Sequence, residues 1–212
     1  MKKLIEKFNN LSERQKLIGL TAISIFLAVG YLIWRNRRGI IRIASKYEGL
    51  QEISGNMGFK DKYLETEMRA IGWTPGAEWC AFFVKMAMLK TLVKIPLFNK
   101  RRNVAEKLLH GSSQQTFINF QNDKSGLWEI STDKPKAGAI VIWQQLGNAA
   151  KGHAGIVIKV NGDNFETMEG NVNLSSKNIP SDGEVSHRKY SIAKELNGNS
   201  WGCKLRGFIN PK

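Results

Sequence analysis

The feature that most constrains this chain is a run of eighteen uncharged residues, Leu17 to Trp34, reading LIGLTAISIFLAVGYLIW. As a helix rising about 1.5 Å per residue it is roughly 27 Å long, enough to cross the hydrocarbon core of a bilayer. Tyr31 and Trp34 close the run as aromatics do at a membrane interface, and Arg35, Arg37 and Arg38 follow at once. A cleaved signal peptide would have a shorter apolar stretch and a small-residue cleavage site, whereas WRNRRG follows here. A helix apolar on all sides can also be a buried core helix. Length and flanks favour a membrane anchor, with residues 1–38 as the basic anchor segment and 39–212 as a separate domain. Orientation stays open, because five basic residues precede the run and five follow it.

The remaining composition is that of an ordinary globular protein: 212 residues, 42% hydrophobic and 24% charged, which excludes disordered and collagen-like chains. Two cysteines, Cys80 and Cys203, exclude a disulfide scaffold and a multi-cysteine zinc site. The net charge is +14, of which +6 lies in residues 1–38. That excess suits a polyanionic neighbour such as nucleic acid, anionic lipid or an anionic wall polymer. Nucleic acid is the weakest of these, since no helix-turn-helix pattern or aromatic-interleaved basic motif accompanies the charge.

From Ile40 the pattern predicts helices first and strands second. Ile40 to Ser54 spaces Ile43, Leu50 and Ile53 on one helical face, and Lys60 to Ile71 reads as a second helix. After the Pro75-Gly76 turn, Glu78 to Val93 reads as a buried central helix with Cys80 in its first turn; 99–120 is helical in part. Short β-rich runs follow at 137–143, 153–160, 164–169, 186–191 and 204–209. The expectation is an α+β domain with the cysteine helix packed on an antiparallel sheet.

Three features carry chemistry. A cysteine at a helix N-terminus meets free N–H groups and the positive end of the dipole, which favour the thiolate, although an arbitrary cysteine is more often a small buried residue. His153 opens a strand after the stretch GNAAKG, a better setting for a base than those of His110 or His187. A base of this kind needs a polar group on its second ring nitrogen, and Glu169 and Asn171 in ETMEGN are the candidates. Register tests the idea. With a three-residue loop Asn161-Gly162-Asp163, Val160 pairs with Asn164, and His153 falls opposite Asn171 and diagonal to Glu169. A two-residue loop puts His153 on the wrong face for both, so the triad demands an odd loop or a bulge.

The stretches EWCAFFVKMA, KAGAIVIW, GHAGIVIKV and ETMEGN together resemble the CHAP family, cysteine- and histidine-dependent amidohydrolases and peptidases of the NlpC-type, papain-like superfamily. The resemblance covers roughly 40–209 and rests on the order and spacing of these motifs. It implies Cys80 as nucleophile, His153 as base, Glu169 or Asn171 as the orienting group, and peptidoglycan amide bonds as substrate. A backbone N–H at Cys80 would help form the oxyanion hole. Two departures stand out. The family's usual Asp-Ile pair is Ala139-Ile140, and no acidic calcium loop precedes the cysteine, so neither metal nor cofactor is expected.

Of the tryptophans, Trp73, Trp128 and Trp143 are expected in the core, and Trp79 beside the substrate. Cys203 is expected to be small and buried in the last strand; a disulfide to Cys80 would block the nucleophile. The reading is therefore a monomeric peptidoglycan amidase or endopeptidase, endolysin-like, held at the host inner membrane or associated with a virion. A papain-like protease acting on protein and a non-catalytic wall-binding virion component are the alternatives.

Overall fold

The computed structural model describes residues 11–92, 99–173, 183–198 and 202–212, with the backbone alone at 25–37. The chain divides into two compact units, Met1–Arg35 and Asn36–Lys212. Helix α1 runs from Glu13 to Ser45. It opens with a reciprocal cap, in which Gln15 N donates to Ser12 Oγ while Ser12 N donates to Gln15 Oε1. Leu17, Ile18, Leu20 and Ile23 are exposed on it. Among the described residues no helix is long and apolar enough to cross a membrane; of the expected span at 17–34, the side chains of 25–34 lie outside the description.

The second unit is α+β. After two short paired strands, β1 (Glu52–Ile53) and β2 (Gly58–Phe59), come α2 (Lys62–Ala70), α3 (Cys80–Thr91), α4 (Lys100–Leu108) and α5 (Ser113–Gln121). Strands β3 (Trp128–Ser131), β4 (Ile140–Gln145), β5 (Asn148–Asn161), β6 (Asn164–Asn173), β7 (Gly183–Ser191) and β8 (Cys203–Pro211) follow, with α6 (Ile192–Leu196) between the last two. These six strands make one antiparallel sheet in the order β3-β8-β4-β5-β6-β7. Helices α2 and α5 start where the sequence supplies a cap: Asp61 accepts from Leu64 N at 2.7 Å and Ser112 from Gln115 N at 3.3 Å.

One expectation is corrected here. The helix predicted over Ile40 to Ser54 ends at Ser45, and Ile53 is exposed in β1 rather than on a helical face. Gly49 takes a left-handed φ of 79°. Its N–H then donates to Val185 O at 2.8 Å, while Val185 N donates to Leu50 O at 2.9 Å, so this segment lies along the β7 edge. Pairing with a strand 135 residues downstream outweighs a local helical pattern, which is the usual fate of weak propensity against tertiary hydrogen bonding.

The apolar run at 139–143 is buried on both sides of the sheet. Ile140 and Ile142 point into the larger core with α3, and Ala139, Val141 and Trp143 into a smaller one with Phe165, Leu205 and Phe208. That is why the segment is continuously apolar instead of alternating. The sheet curls around the smaller core: the Phe165 and Phe208 rings approach to 5.2 Å although β4 and β5 separate their strands.

Candidate active site

Cys80 is the first residue of α3. Trp79 stands at the cap position without a side-chain hydrogen bond to the helix, and no acidic residue lies in the first turn. The leading N–H groups of α3 therefore have no side-chain acceptor from the cap, and no nearby carboxylate in the helix opposes negative charge on the sulfur. Trp79 itself is fully buried, against the expectation that it faces substrate. Its ring packs on Phe59 at 4.9 Å and on Phe83 at 6.3 Å, and its Nε1 donates to the buried Glu52 carboxylate. Trp79 is a peg that seats the head of α3, and the indole N–H requires the partner it has found. Trp73, Trp128 and Trp143 are buried as well.

The β5–β6 hairpin sets the register of the other two groups. Asn161 pairs with Asn164, so the loop is the two residues Gly162-Asp163, with Gly162 at a φ of 57°. By itself this turn would send His153 and Glu169 to opposite faces. A bulge corrects it: Lys159 pairs with Glu166, yet Val157 pairs with Thr167, leaving Ile158 as the extra residue. Beyond the bulge Gly155 pairs with Glu169, which puts His153 diagonal to Glu169 on one face. The demand for an odd loop or a bulge is met by the bulge.

His153 Nε2 lies 2.9 Å from Glu169 Oε2. Cys80 acts on the same ring and raises its pKa, and with Nε2 engaged by Glu169 the ring atom left for the thiol is Nδ1. The imidazole sits between sulfur and carboxylate. Burial pulls its pKa down, but the bonds and charges of Cys80 and Glu169 prevail and hold it at about 10. The ring also tilts against Trp143, with centroids 5.7 Å apart, and Trp143 Nε1 donates to Glu195 Oε2 at 2.7 Å.

Two glycines make room for this arrangement. A Cβ at Gly155 would stand 2.6 Å from Glu169 Cγ, and one at Gly152 would stand 2.0 Å from Trp143 O. Against Gly152 runs a bond from Gln114 Nε2 to Trp143 O, 2.7 Å, while Arg206 Nη1 donates to Gln114 Oε1, also 2.7 Å. Gln114 and Arg206 thus pin the backbone of Trp143, the residue paired with His153. Neither was singled out from the sequence, where a glutamine and an arginine 92 residues apart give no local signal.

Asn171, the other candidate orienting group, shares no hydrogen bond with His153 among the described residues. It adopts a left-handed φ of 61° in the irregular stretch where β6 shifts register against β7. A Cβ at Gly183 would lie 2.7 Å from Asn171 Oδ1 and 3.0 Å from Glu52 Oε2, so the amide borders the Glu52–Trp79 pair behind α3. Of the polar groups near His153, the structure brings Glu169 to it. Thr167 and Tyr190, which the sequence reading did not name, both donate to the Glu169 carboxylate. Cys203 opens β8, is buried, and forms no disulfide with Cys80. Among the described residues no cluster of three His, Cys, Asp or Glu side chains could hold a metal ion.

Residues 72–171 match the family model of the CHAP domain. The match covers a little under half of the chain. Among solved structures the chain is similar to the crystal structure of Ly7917, at 18% identity and a TM-score of 0.40. It is also similar to the crystal structure of Ly7917 with the hydrolyzing product of MDP, at 18% identity and 0.39. In both cases 82% of this chain and 62% of the other are covered, so the chain spans less than two thirds of those proteins' length. No curated protein matches the chain.

Proposed function

We propose that the protein is a peptidoglycan hydrolase, an amidase or endopeptidase that cuts a cell-wall amide bond with Cys80 as nucleophile. The observation that carries this reading is the position of His153, coupled to Cys80 and hydrogen-bonded to Glu169, within the stretch that matches the CHAP domain. A cationic imidazole against a sulfur at the head of a helix lets the thiol proton reside on the ring.

The thiolate attacks the amide carbonyl carbon, and the carbonyl oxygen takes the negative charge. The backbone N–H of Cys80, at the start of α3, is a donor for that oxyanion. The imidazolium then gives its proton to the amine nitrogen as the C–N bond breaks, leaving a thioester on Cys80 and a neutral imidazole. His153 next takes a proton from water, whose oxygen attacks the thioester. Collapse of the second tetrahedral intermediate breaks the C–S bond, releasing the carboxylic acid and leaving the Cys80 thiolate beside the imidazolium. Glu169 holds the ring so that Nδ1 faces the sulfur throughout.

The same reading extends to location. The charge-free run in α1, with Leu17, Ile18, Leu20 and Ile23 exposed, supports an anchor that holds the catalytic domain against the wall. An endolysin or related phage lysis enzyme is the setting that the family resemblance suggests.

Turbidity clearing of purified peptidoglycan by the full-length protein and its Cys80→Ala variant tests the reading. Clearing by the parent alone is expected. Equal clearing by both would sink the nucleophile assignment. Binding without release of soluble fragments would favour a wall-binding protein, and cleavage of casein with intact peptidoglycan would favour a papain-like protease. Recovery in the membrane fraction, lost on removal of residues 1–38, tests the anchor.

A further inference from the structure

Glu169 is 1% exposed, and a buried carboxylate is useful to a base only if it cannot rotate away. Three donors converge on its two oxygens. Oε2 meets His153 Nε2 at 2.9 Å and Tyr190 OH at 3.2 Å, while Oε1 accepts from Thr167 Oγ1. The carboxylate stem is confined from the opposite strand, where Gly155 leaves no space beyond its own hydrogen atoms.

The two hydroxyls come from separate places. Thr167 lies two residues before Glu169 on β6, hence on the same face, and is fully buried. Tyr190 comes from β7, where it pairs with Phe165. Its ring stacks on Phe165 at 5.4 Å and leans on Trp143 at 5.0 Å, and Trp143 in turn touches the His153 ring. The phenol is therefore aimed by packing. Burial, the charge of Glu169 and their hydrogen bond all raise its pKa, so the hydroxyl remains a proton donor at any working pH. Tyr190 also lies beyond residues 72–171, the stretch matched by the family model.

We propose that Thr167 and Tyr190 are positioning residues, which lock the Glu169 carboxylate in the orientation that accepts from His153 Nε2 and so keep Nδ1 on Cys80. The inference deepens the hydrolase reading and rests on it for the reaction, though the lock itself is a property of the resting protein. With either hydroxyl gone, one carboxylate oxygen loses a donor and the group gains freedom to turn about its last bond. The loss acts through Glu169 alone, because neither hydroxyl bonds to His153 or Cys80 among the described residues.

The test compares Tyr190→Phe, Thr167→Val and Thr167→Ser in the full-length protein, each alone and combined with Glu169→Ala. Two quantities are measured: kcat and KM on peptidoglycan fragments, and the rate at which iodoacetamide alkylates Cys80, read by peptide mass spectrometry. Thermal melting identifies any variant that does not fold. Tyr190→Phe and Thr167→Val are expected to lower kcat, and the alkylation rate at pH 7, by about tenfold each with KM unchanged, the size of one lost bond to a charged group. Thr167→Ser keeps the donor and should restore both. In the Glu169→Ala background neither substitution should slow alkylation further, because the group they act through is gone.

Parent-like alkylation in both single variants would overturn the proposal. Losses that persist undiminished in the Glu169→Ala background would overturn it too, since a purely structural role does not depend on Glu169. Alkylation needs no wall substrate, so the lock stands or falls separately from the hydrolase reading. If the parent cuts nothing yet the cycle behaves as expected, only the substrate assignment is lost.

Discussion

His153 and Glu169 are hydrogen-bonded at 2.9 Å across β5 and β6 although they are not a cross-strand pair; Glu169 stands opposite Gly155. The contact is diagonal, and one surplus residue, Ile158, is absorbed as a bulge between the site and the turn. Strand side chains alternate with period two, so whether an odd residue between His153 and Glu169 is absorbed in this way decides whether they meet.

Deleting Ile158 should therefore leave the site in register. Without it Val157 and Lys159 become neighbours that still face Thr167 and Glu166, so the ladder is regular and His153 stays diagonal to Glu169. We expect peptidoglycan clearing to be retained, whereas inserting one residue beside Ile158 should turn His153 to the other face and abolish clearing in a protein that still melts cooperatively. An inactive deletion variant together with an active insertion variant would mean that the register is set elsewhere.

Gly155→Ala places a methyl group 2.6 Å from Glu169 Cγ. Overpacking of this kind costs about 1–3 kcal/mol, and here the strain falls on the orienting carboxylate. The variant should fold with a reduced melting temperature and lose activity out of proportion to the stability change. Full activity at the parent's melting temperature would count against the tight packing.

The pH dependence follows from His153, whose pKa is lifted from the ordinary 6.5 to about 10 by Cys80 and Glu169 in spite of burial. A group raised on folding stabilises the native state fully below its unfolded value. That stability contribution should accordingly be complete below about pH 6.5 and disappear as pH climbs through 10. Activity should fall along the same alkaline limb as the imidazolium is lost. NMR titration of the His153 ring checks this, with Cys80→Ala expected to lower the midpoint by removing one of the groups that raise it. A parent midpoint near 6.5 would sink the argument.

Trp79→Phe removes the indole N–H that Glu52 accepts inside the protein. Leaving a buried carboxylate without that donor costs about 1–3 kcal/mol, so unfolding should shift by that amount. Because Trp79 has no exposed surface, KM for peptidoglycan fragments should not change. A raised KM with unaltered stability would restore Trp79 to the substrate groove.

The sequence alone determined the order of helices before the strands of the six-stranded sheet, the cysteine at the head of a buried helix, and the β5–β6 hairpin with its odd-residue requirement. Each depends on neighbours within a few positions: an apolar period, a Pro-Gly turn, a Gly-Asp pair after a β-rich run. It could state that His153 and Glu169 need an odd loop or a bulge, but not which: in place of a three-residue loop Asn161-Gly162-Asp163 the chain has a two-residue turn at Gly162-Asp163, compensated by the surplus at Ile158. The helix expected over 46–54 failed for a similar reason, since its backbone groups found β7 instead.

Only the tertiary structure brings Glu169 rather than Asn171 to His153, although the two stand two residues apart on β6. A left-handed backbone at Asn171 takes it out of the strand's alternation, while Gly155 opens the space that Glu169 fills. It also gathered Gln114, Thr167, Tyr190 and Arg206 around the pair from four separate elements. Contacts between residues far apart in the chain leave no period to read, because they are chosen by which surfaces the folded sheet brings within hydrogen-bonding reach.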